Sequence, residues 1–253
     1  MAGKSNTGKS GFLHDDSRLH KLCQDGNYRK VTEFVNAVPD AKALEDRLSN
    51  RKGVFGYTPL HEAVASGHHK VLDFLLQRAG DGHVNCRANS GYTPLHLAAS
   101  SGHSECVRVL LRHSADISVT DEYGKTPKQT AELSSKSSIV RILRSAEIIK
   151  EVETNGDGLT ELLRFNTDQL EPHCLNTALT AAVRNDNHYN VGKLIVKGAD
   201  EIKKALRQSV EDKKPNARAM LLLVHAAMEG NRNLVLRLFG EPTLRRRQLP
   251  RLH

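Results

Sequence analysis

The sequence contains no tryptophan, and aromatic residues make up only 4% of its 253 residues. A globular core of ordinary thickness usually recruits more large rings than this. A stack of thin layers filled by leucine, valine and alanine does not need them. The scarcity of rings therefore favours thin stacked layers over one thick core.

Cysteine and long apolar runs are also scarce. The four cysteines are Cys23, Cys86, Cys106 and Cys174, and no two of them have the C-x-x-C spacing. The N-terminus has no apolar run typical of a signal peptide, and no stretch approaches the roughly 20 apolar residues of a membrane span. We therefore expect reduced thiols, no membrane segment, and a location in the cytoplasm, the nucleus or both.

Charge of one sign is not concentrated enough to define a function. The net charge is +8, but 29 acidic residues are mixed among the 37 lysines and arginines. The basic stretch "LRRRQLPR" at 244–251 has no interleaved aromatic residues, which argues against base stacking. The net charge of +8 and this arginine-rich stretch nevertheless suggest an alternative function, a basic nuclear adaptor that contacts nucleic acid or chromatin.

What the chain does contain is an internal period. Residues 56–76 read "GYTPLHEAVASGHHKVLDFLL", and residues 91–111 read "GYTPLHLAASSGHSECVRVLL". A third copy at 124–144, "GKTPKQTAELSSKSSIVRILR", keeps the Gly, Thr, Pro, Ala and apolar positions. Such a period predicts a repeat architecture.

Local signals divide each copy into two short helices. Thr58 and Thr93 are suited to N-cap a helix that has proline at its first position. Gly67 and Gly102 can end that helix in the left-handed conformation. Helices this short are marginal alone, so neighbouring repeats must stabilise them.

The T-P-L-H and G-H signatures closely resemble the ankyrin repeat. The resemblance implies an all-α ankyrin-repeat solenoid of helix-turn-helix repeats, with turn hairpins at the tips. It also implies that His20, His61 and His96, at the T-P-L-H position, bond turn groups of neighbouring repeats. His68 and His103 occupy the G-H position of the same pattern, so these five histidines need no metal.

Weaker copies of the template lie at 15–35, 175–195 and 219–239. The copy at 124–144 has Lys128 and Gln129 where the two strong copies have leucine and histidine. We therefore expect that copy to deviate from the family fold at its first helix.

The six copies predict five segments. These are a disordered basic tail at 1–14, ankyrin repeats one to four at 15–150, a helical insert or linker at 151–174, degenerate ankyrin-like repeats five and six at 175–240, and a basic C-terminal tail at 241–253. The pattern stops after Phe239 without room for a polar capping helix. Because solenoids need a terminal cap, we expect the chain to be an isoform or fragment of a longer protein.

One stretch points to a different chemistry. Residues 3–10, "GKSNTGKS", match the phosphate-binding P-loop letter by letter. A P-loop needs a strand before its glycine-rich turn and a helix after it, and only two residues precede Gly3. Nucleotide binding through residues 3–10 is thus a second alternative. We expect no catalytic residues, no metal site and no cofactor.

The resemblance also suggests a binding surface, made by the loop tips before T-P and by the inner face of each first helix. The residues at these positions are Phe55, Tyr57, Ala65, Ser66, Arg78, Asn89, Ser90, Tyr92, Ser100, Ser101, His113, Glu122, Tyr123 and Lys125. Large rings at exposed tips make good interface anchors. The alternative interpretation is that Tyr57 and Tyr92 pack across adjacent tips. We expect a monomeric, non-enzymatic scaffold or adaptor that binds a protein partner on the concave face.

Overall fold

The computed structural model describes residues 10–38, 40–154, 156, 158–164, 169–171, 173–197, 212–218 and 221–222. The chain divides into two compact units, residues 1–146 and residues 147–253. Over the described ranges the secondary structure is helical, apart from one isolated β-bridge between Lys52 and Tyr57. Among these helices, none is both long and apolar enough to cross a membrane.

The first unit is built from short helices in pairs. They are α1 (Ser10–Asp25), α2 (Tyr28–Asn36), α3 (Ala41–Ser49), α4 (Pro59–Ala65), α5 (His69–Ala79), α6 (Pro94–Ser101), α7 (Ser104–Arg112), α8 (Pro127–Leu133) and the first part of α9 (Ser137–Glu153), with a 3-10 turn at Asp81–His83. Two layers result from their packing. The inner helices α1, α4, α6 and α8 contact one another in that order, and the outer helices α2, α5 and α7 do the same.

The core of this unit lies between the two layers. Leu60 and Leu95 of the inner helices are fully buried, as are Leu75 and Leu110 of the outer helices. These residues fall at equivalent positions of successive repeats, so each repeat adds one thin slice to a continuous apolar core. The predicted stacked-layer, all-α architecture is confirmed.

The inner helices begin as the sequence predicts. Thr58 and Thr93 are N-caps with proline at the first helical position, and His61 and His96 complete capping boxes at the third. Gly67 and Gly102 have φ of +75° and +88°, the left-handed region in which glycine is least strained.

The expectation that the copy at 124–144 would deviate at its first helix is wrong. Helix α8 is regular, and Thr126 is its N-cap. The Oε1 atom of Gln129 accepts a hydrogen bond from the backbone N–H of Thr126 at 3.0 Å. Glutamine thus completes the same capping box as histidine, and the half-buried Lys128 leaves the helix intact.

Helix α3 was not predicted. It fills the longer spacing between the first two repeats and packs against α4 and α5. Asp40 caps it by accepting a hydrogen bond from the backbone N–H of Ala43 at 2.6 Å, while Leu44 and Leu48 are buried. Its signals are local and carry no ankyrin signature, so the repeat pattern does not predict this helix.

The N-terminal segment also differs from expectation. Helix α1 begins at Ser10, so residues 10–14 of the predicted disordered tail at 1–14 are helical. Extending an existing helix costs little once its first turn has formed. Residues 1–9, with most of the P-loop match at 3–10, lie outside the described residues.

In the second unit the described helices include the last part of α9, α10 (Leu159–Leu162), α11 (Cys174–Arg184) and α12 (His188–Lys197). Buried Ile148, Leu159, Leu179 and Leu194 belong to its own core cluster. Helices α11 and α12 form a packed pair where the copy at 175–195 was predicted. Apart from residues 221–222, the predicted copy at 219–239 and the tail at 241–253 lie outside the described residues.

Candidate functional site

Three hairpins precede the inner helices α4, α6 and α8. In the first, the backbone N–H of Lys52 donates to the oxygen of Tyr57 at 2.8 Å, and the N–H of Tyr57 donates back at 2.9 Å. Single bonds close the second and third hairpins, from Ala88 to Tyr92 at 2.8 Å and from Asp121 to Lys125 at 3.0 Å. We call the exposed side chains of residues 51–57, 86–92 and 119–125 the tip surface.

Neighbouring hairpins are bonded to each other. Asn89 donates its backbone N–H to the oxygen of Phe55 at 2.9 Å and its Nδ2 to the oxygen of Val54 at 3.1 Å. The third hairpin is bonded to the second in the same way, because the backbone N–H of Glu122 donates to the backbone oxygen of Ser90 at 3.3 Å. These bonds order the tips before any partner arrives, which lowers the entropic cost of binding.

A row of histidines joins each inner helix to the next hairpin. The Nε2 atom of His20 lies 3.1 Å from the oxygen of Tyr57, that of His61 lies 3.1 Å from the oxygen of Tyr92, and that of His96 lies 2.9 Å from the oxygen of Lys125. The role implied by the T-P-L-H pattern is therefore present in all three copies.

The hydrogen bonds also fix the tautomer of His61. The backbone N–H of Thr58 can only donate, and it points at Nδ1 of His61 at 3.4 Å. Nδ1 therefore accepts, and Nε2 carries the proton that is donated to Tyr92. Burial lowers the pKa of His61 to about 4 and also lowers the pKa of His96, because both rings lose solvation in their charged form.

A second row of histidines reaches back to the preceding repeat. Nε2 of His68 lies 3.0 Å from the oxygen of Gln24, and Nε2 of His103 lies 3.2 Å from the oxygen of Ala65. Each ring occupies the space beside the glycine that ends the preceding inner helix. A Cβ on Gly67 would lie 3.0 Å from the ring of His103.

Tyr57 and Tyr92 have a role inside their own repeats. The ring of Tyr57 stacks on His61 at 5.4 Å between ring centroids, and the ring of Tyr92 lies 5.4 Å from that of His96. Both tyrosines are half-buried, and burial raises the pKa of each phenol. They cover the histidine row rather than pack on each other.

Larger apolar side chains are exposed further out on the hairpins. Val54 is 90% exposed, Phe55 65% and Tyr123 78%. Phe55 rests on Tyr57 with its ring centroid 5.4 Å away. Asn89 and Lys125 are exposed beside them, as is Glu122, while Ser90 is half-buried.

The inner helices present small side chains beside the hairpins. Ser66 and Ser101 are exposed, and Ala65 and Ser100 are half-buried. The 33-residue register places Leu133 of α8 where the preceding repeat has Ser100, and Leu133 is 73% exposed. This leucine was not among the predicted surface residues, although the register alone marks it as the one large side chain in a row of small ones.

Arg78 and His113 do not belong to this surface. Arg78 lies in the last turn of α5 and His113 caps the end of α7, and both helices are in the outer layer. Nε2 of His113 lies 2.9 Å from Oδ1 of Asp73 on the neighbouring outer helix. Their helices run on the opposite side of the core from α4, α6 and α8, so neither residue lies on the predicted binding surface.

One thiol lies near an imidazole, but the pair is not suited to nucleophilic chemistry. Sγ of Cys86 is 3.4 Å from Oγ1 of Thr58 and 3.8 Å from Nδ1 of His61. Burial raises the pKa of the Cys86 thiol and lowers that of the imidazole, which is the reverse of an activated thiolate pair. Within the part of the chain that the structure describes, no group of three or more His, Cys, Asp or Glu residues could hold a metal.

Comparison with known families agrees with this geometry. The family model for ankyrin repeats in many copies matches residues 75–131, and the family model for the single ankyrin repeat matches residues 55–89. The chain contains ankyrin repeats over residues 55–131. Ankyrin repeats generally mediate protein–protein interaction and are generally non-catalytic.

Two relatives share the repeat region. The chain is 35% identical over 71 residues to the 2-5A-dependent ribonuclease of Mus musculus. The aligned residues make up 28% of this chain and 9% of the relative. The chain is 36% identical over 79 residues to the ankyrin repeat domain-containing protein SOWAHB of Homo sapiens, covering 31% and 10%. The chain therefore spans about a tenth of the length of either relative.

Proposed function

We propose that the first unit is a non-enzymatic protein-interaction module that binds its partner on the tip surface and on the adjoining inner helices. The observation that carries the proposal is the exposure of Val54, Phe55 and Tyr123 on hairpins whose backbones are already bonded together. Exposed rings on an ordered backbone lose little conformational freedom when they enter a partner's pocket.

The inner helices supply the floor of this surface. Ser66 and Ser101 leave room for a partner chain, and Leu133 offers a further apolar contact about 9 Å along α8 from Pro127, at 1.5 Å per residue. A partner laid across the inner helices would thus meet rings on one side and a leucine on the other.

Affinity capture tests this assignment. We expect Phe55→Ser with Tyr123→Ser to keep the thermal midpoint of the fold and to weaken capture of the partner at least about tenfold, since two exposed anchors are lost. The matched control is Tyr28→Ser, an exposed tyrosine on the outer helix α2. Equal loss in the control, or unchanged capture by the double variant, would contradict the proposal.

A second pair of aromatic residues at the tips also contributes to the fold. Tyr57→Ala with Tyr92→Ala removes the rings that cover the histidines of the inner helices. We expect that pair to weaken capture at least about tenfold as well, but with loss of stability. Phe55 and Tyr123 therefore separate binding from folding more cleanly.

A further inference from the structure

The charges of the tip surface favour one chemistry of partner. The three described hairpins carry four basic side chains, namely Arg51, Lys52, Arg87 and Lys125, so that each hairpin contributes at least one. Lys52 and Arg87 occupy the same position one repeat apart. The charge of Arg51 acts close to the hairpin base, because it helps to lower the pKa of His61.

The acidic side chains of the same hairpins do not balance these cations. Asp121 is 7% exposed, and its Oδ1 accepts the backbone N–H groups of Tyr123 at 2.9 Å and Lys125 at 2.8 Å. Its charge is thus used inside the third hairpin. Glu122 is the exposed carboxylate of the three hairpins.

Lys52 and Arg87 are also held in place. Nζ of Lys52 donates to Oγ of Ser17, and Nη2 of Arg87 donates to the backbone oxygen of Thr120 at 2.7 Å. A guanidinium has five N–H donors, so Arg87 can bond its own scaffold and an incoming carboxylate together. Lys52 is on the same hairpin as Phe55, and Arg87 is on the neighbouring hairpin.

The geometry of the repeat sets a spacing for the partner. Packed helices lie about 8–10 Å apart, and an extended chain in the polyproline II conformation advances about 3.1 Å per residue and points every third side chain to the same side. An extended segment that crosses the inner helices therefore advances about three residues per repeat. An acidic side chain at every third position would meet one basic hairpin each time.

Resting on the function proposed above, we propose that the partner is an extended acidic protein segment with a carboxylate at about every third residue and apolar side chains between them. The carboxylates pair with Lys52, Arg87 and Lys125, and the apolar side chains contact Phe55, Tyr123 and Leu133. Aliphatic Val54 and the carboxylate of Glu122 favour a peptide over the continuous phosphates of a nucleic acid.

Fluorescence anisotropy with synthetic peptides tests the proposal on the full chain. The probe is a labelled peptide of about twelve residues with glutamate at every third position and leucine between, long enough at about three residues per repeat to span the three basic hairpins. One comparison peptide has lysine in place of glutamate, another has the glutamates grouped at one end, and an oligothymidylate of equal charge is the third. We expect the spaced acidic peptide to bind at least about tenfold more tightly than any of them, and to weaken as salt rises.

Charge-reversed variants locate the site. Lys52→Glu with Lys125→Glu should weaken the spaced peptide at least about tenfold, whereas Lys30→Glu with Lys70→Glu, the same change of charge on the outer helices, should weaken it less than about twofold. Far-ultraviolet circular dichroism verifies that both variants are folded.

Three outcomes would overturn the inference: equal binding of the spaced and grouped peptides, tighter binding of the oligothymidylate, or equal effects of the two charge-reversed pairs. The first and third leave the proposed function standing if Phe55→Ser with Tyr123→Ser still loses its captured partner. Unchanged capture of the partner by Phe55→Ser with Tyr123→Ser, in contrast, would contradict the protein-binding function itself.

Discussion

The imidazole of His61 lies 3.1 Å from the backbone oxygen of Tyr92, which belongs to the hairpin of the next repeat. On its other side the same ring accepts the backbone N–H of its own N-cap, Thr58. One side chain therefore starts a helix and holds the neighbouring hairpin. Because that hairpin presents part of the tip surface, the histidine row links stability to binding.

Replacing His61 should separate these two roles. We expect His61→Ala to lower the free energy of unfolding by about 3 kcal/mol, since a cap and a buried hydrogen bond are both lost. His61→Gln should cost about half as much, because Gln129 shows that glutamine completes the capping box in the fourth repeat. Urea denaturation measures both, and equal losses for alanine and glutamine would contradict the two-role account.

The pH dependence of stability should follow the buried histidines. The folded pKa of His61, about 4, lies below the ordinary value of 6.5, so the fold favours the neutral ring. Its contribution is complete above pH 6.5 and is lost as the pH falls toward 4, by at most roughly 3 kcal/mol. The lowered pKa of His96 acts in the same direction.

Urea midpoints at several pH values between those limits measure this effect. Carboxylates also titrate in part of the range, so the control is His61→Gln with His96→Gln. We expect the midpoint of the variant to fall less steeply with decreasing pH than that of the natural chain. Parallel slopes would show that the two imidazoles do not carry the effect.

Glycines test the contact between the second histidine row and the helix ends. Gly67 has φ of +75°, and a Cβ there would lie 3.0 Å from the ring of His103. Gly53 has φ of +73° with open space around it. We expect Gly67→Ala to be more destabilising than Gly53→Ala by about 1 kcal/mol, because only the first adds a steric clash to the backbone strain.

A second substitution makes that comparison decisive. In a His103→Ala background the added methyl group has room, so the difference between the two glycine variants should shrink. Thermal unfolding of the four combinations forms a double-mutant cycle. A difference that persists without His103 would assign the cost to the backbone alone.

The thiols of the first unit should react slowly. Burial raises the pKa of Cys86 and raises that of Cys106 to about 11, so little thiolate exists near neutral pH. We expect alkylation by iodoacetamide at pH 8 to be at least about tenfold slower for both residues in the folded chain than in urea. Mass spectrometry of tryptic peptides measures the rates, and fast alkylation of folded Cys86 would contradict its assignment as a packed thiol.

The sequence predicted those features that depend on local pattern. Thr58 and Thr93 are N-caps, Gly67 and Gly102 are left-handed, and His61 bonds the next repeat. Each follows from a residue type at a fixed offset, because a repeat places the same physical problem at the same position every time.

What the sequence did not predict depends on environment. Gln129 stands where the two strong repeats have histidine, yet its side-chain oxygen accepts the equivalent hydrogen bond from the backbone N–H of the N-cap residue, Thr126. Arg78 and His113 were assigned to the binding surface, although the ends of their helices lie in the outer layer. Helix α3 has no counterpart in other repeats, so no periodicity could reveal it.

The candidate surface was predicted in part. The sequence places Tyr57 and Phe55 on one hairpin, but it cannot tell the half-buried Tyr57 from Phe55, which is 65% exposed, since both are aromatic residues of the same turn. Their difference arises from the neighbouring imidazole of His61, which covers one face of Tyr57. Exposure of this kind is decided by packing across the hairpin and not by residue type.

Site-specific photo-crosslinking in cells tests the central claim most directly. A photoreactive amino acid would replace Tyr123 on the tip surface, and in a separate chain Tyr28 on the outer helix α2. We predict that the residue at position 123 forms a discrete covalent adduct with a protein partner, and that the adduct disappears when Phe55→Ser is added. Adducts of the same pattern from both positions, or adducts from position 28 alone, would contradict a binding surface at the hairpin tips.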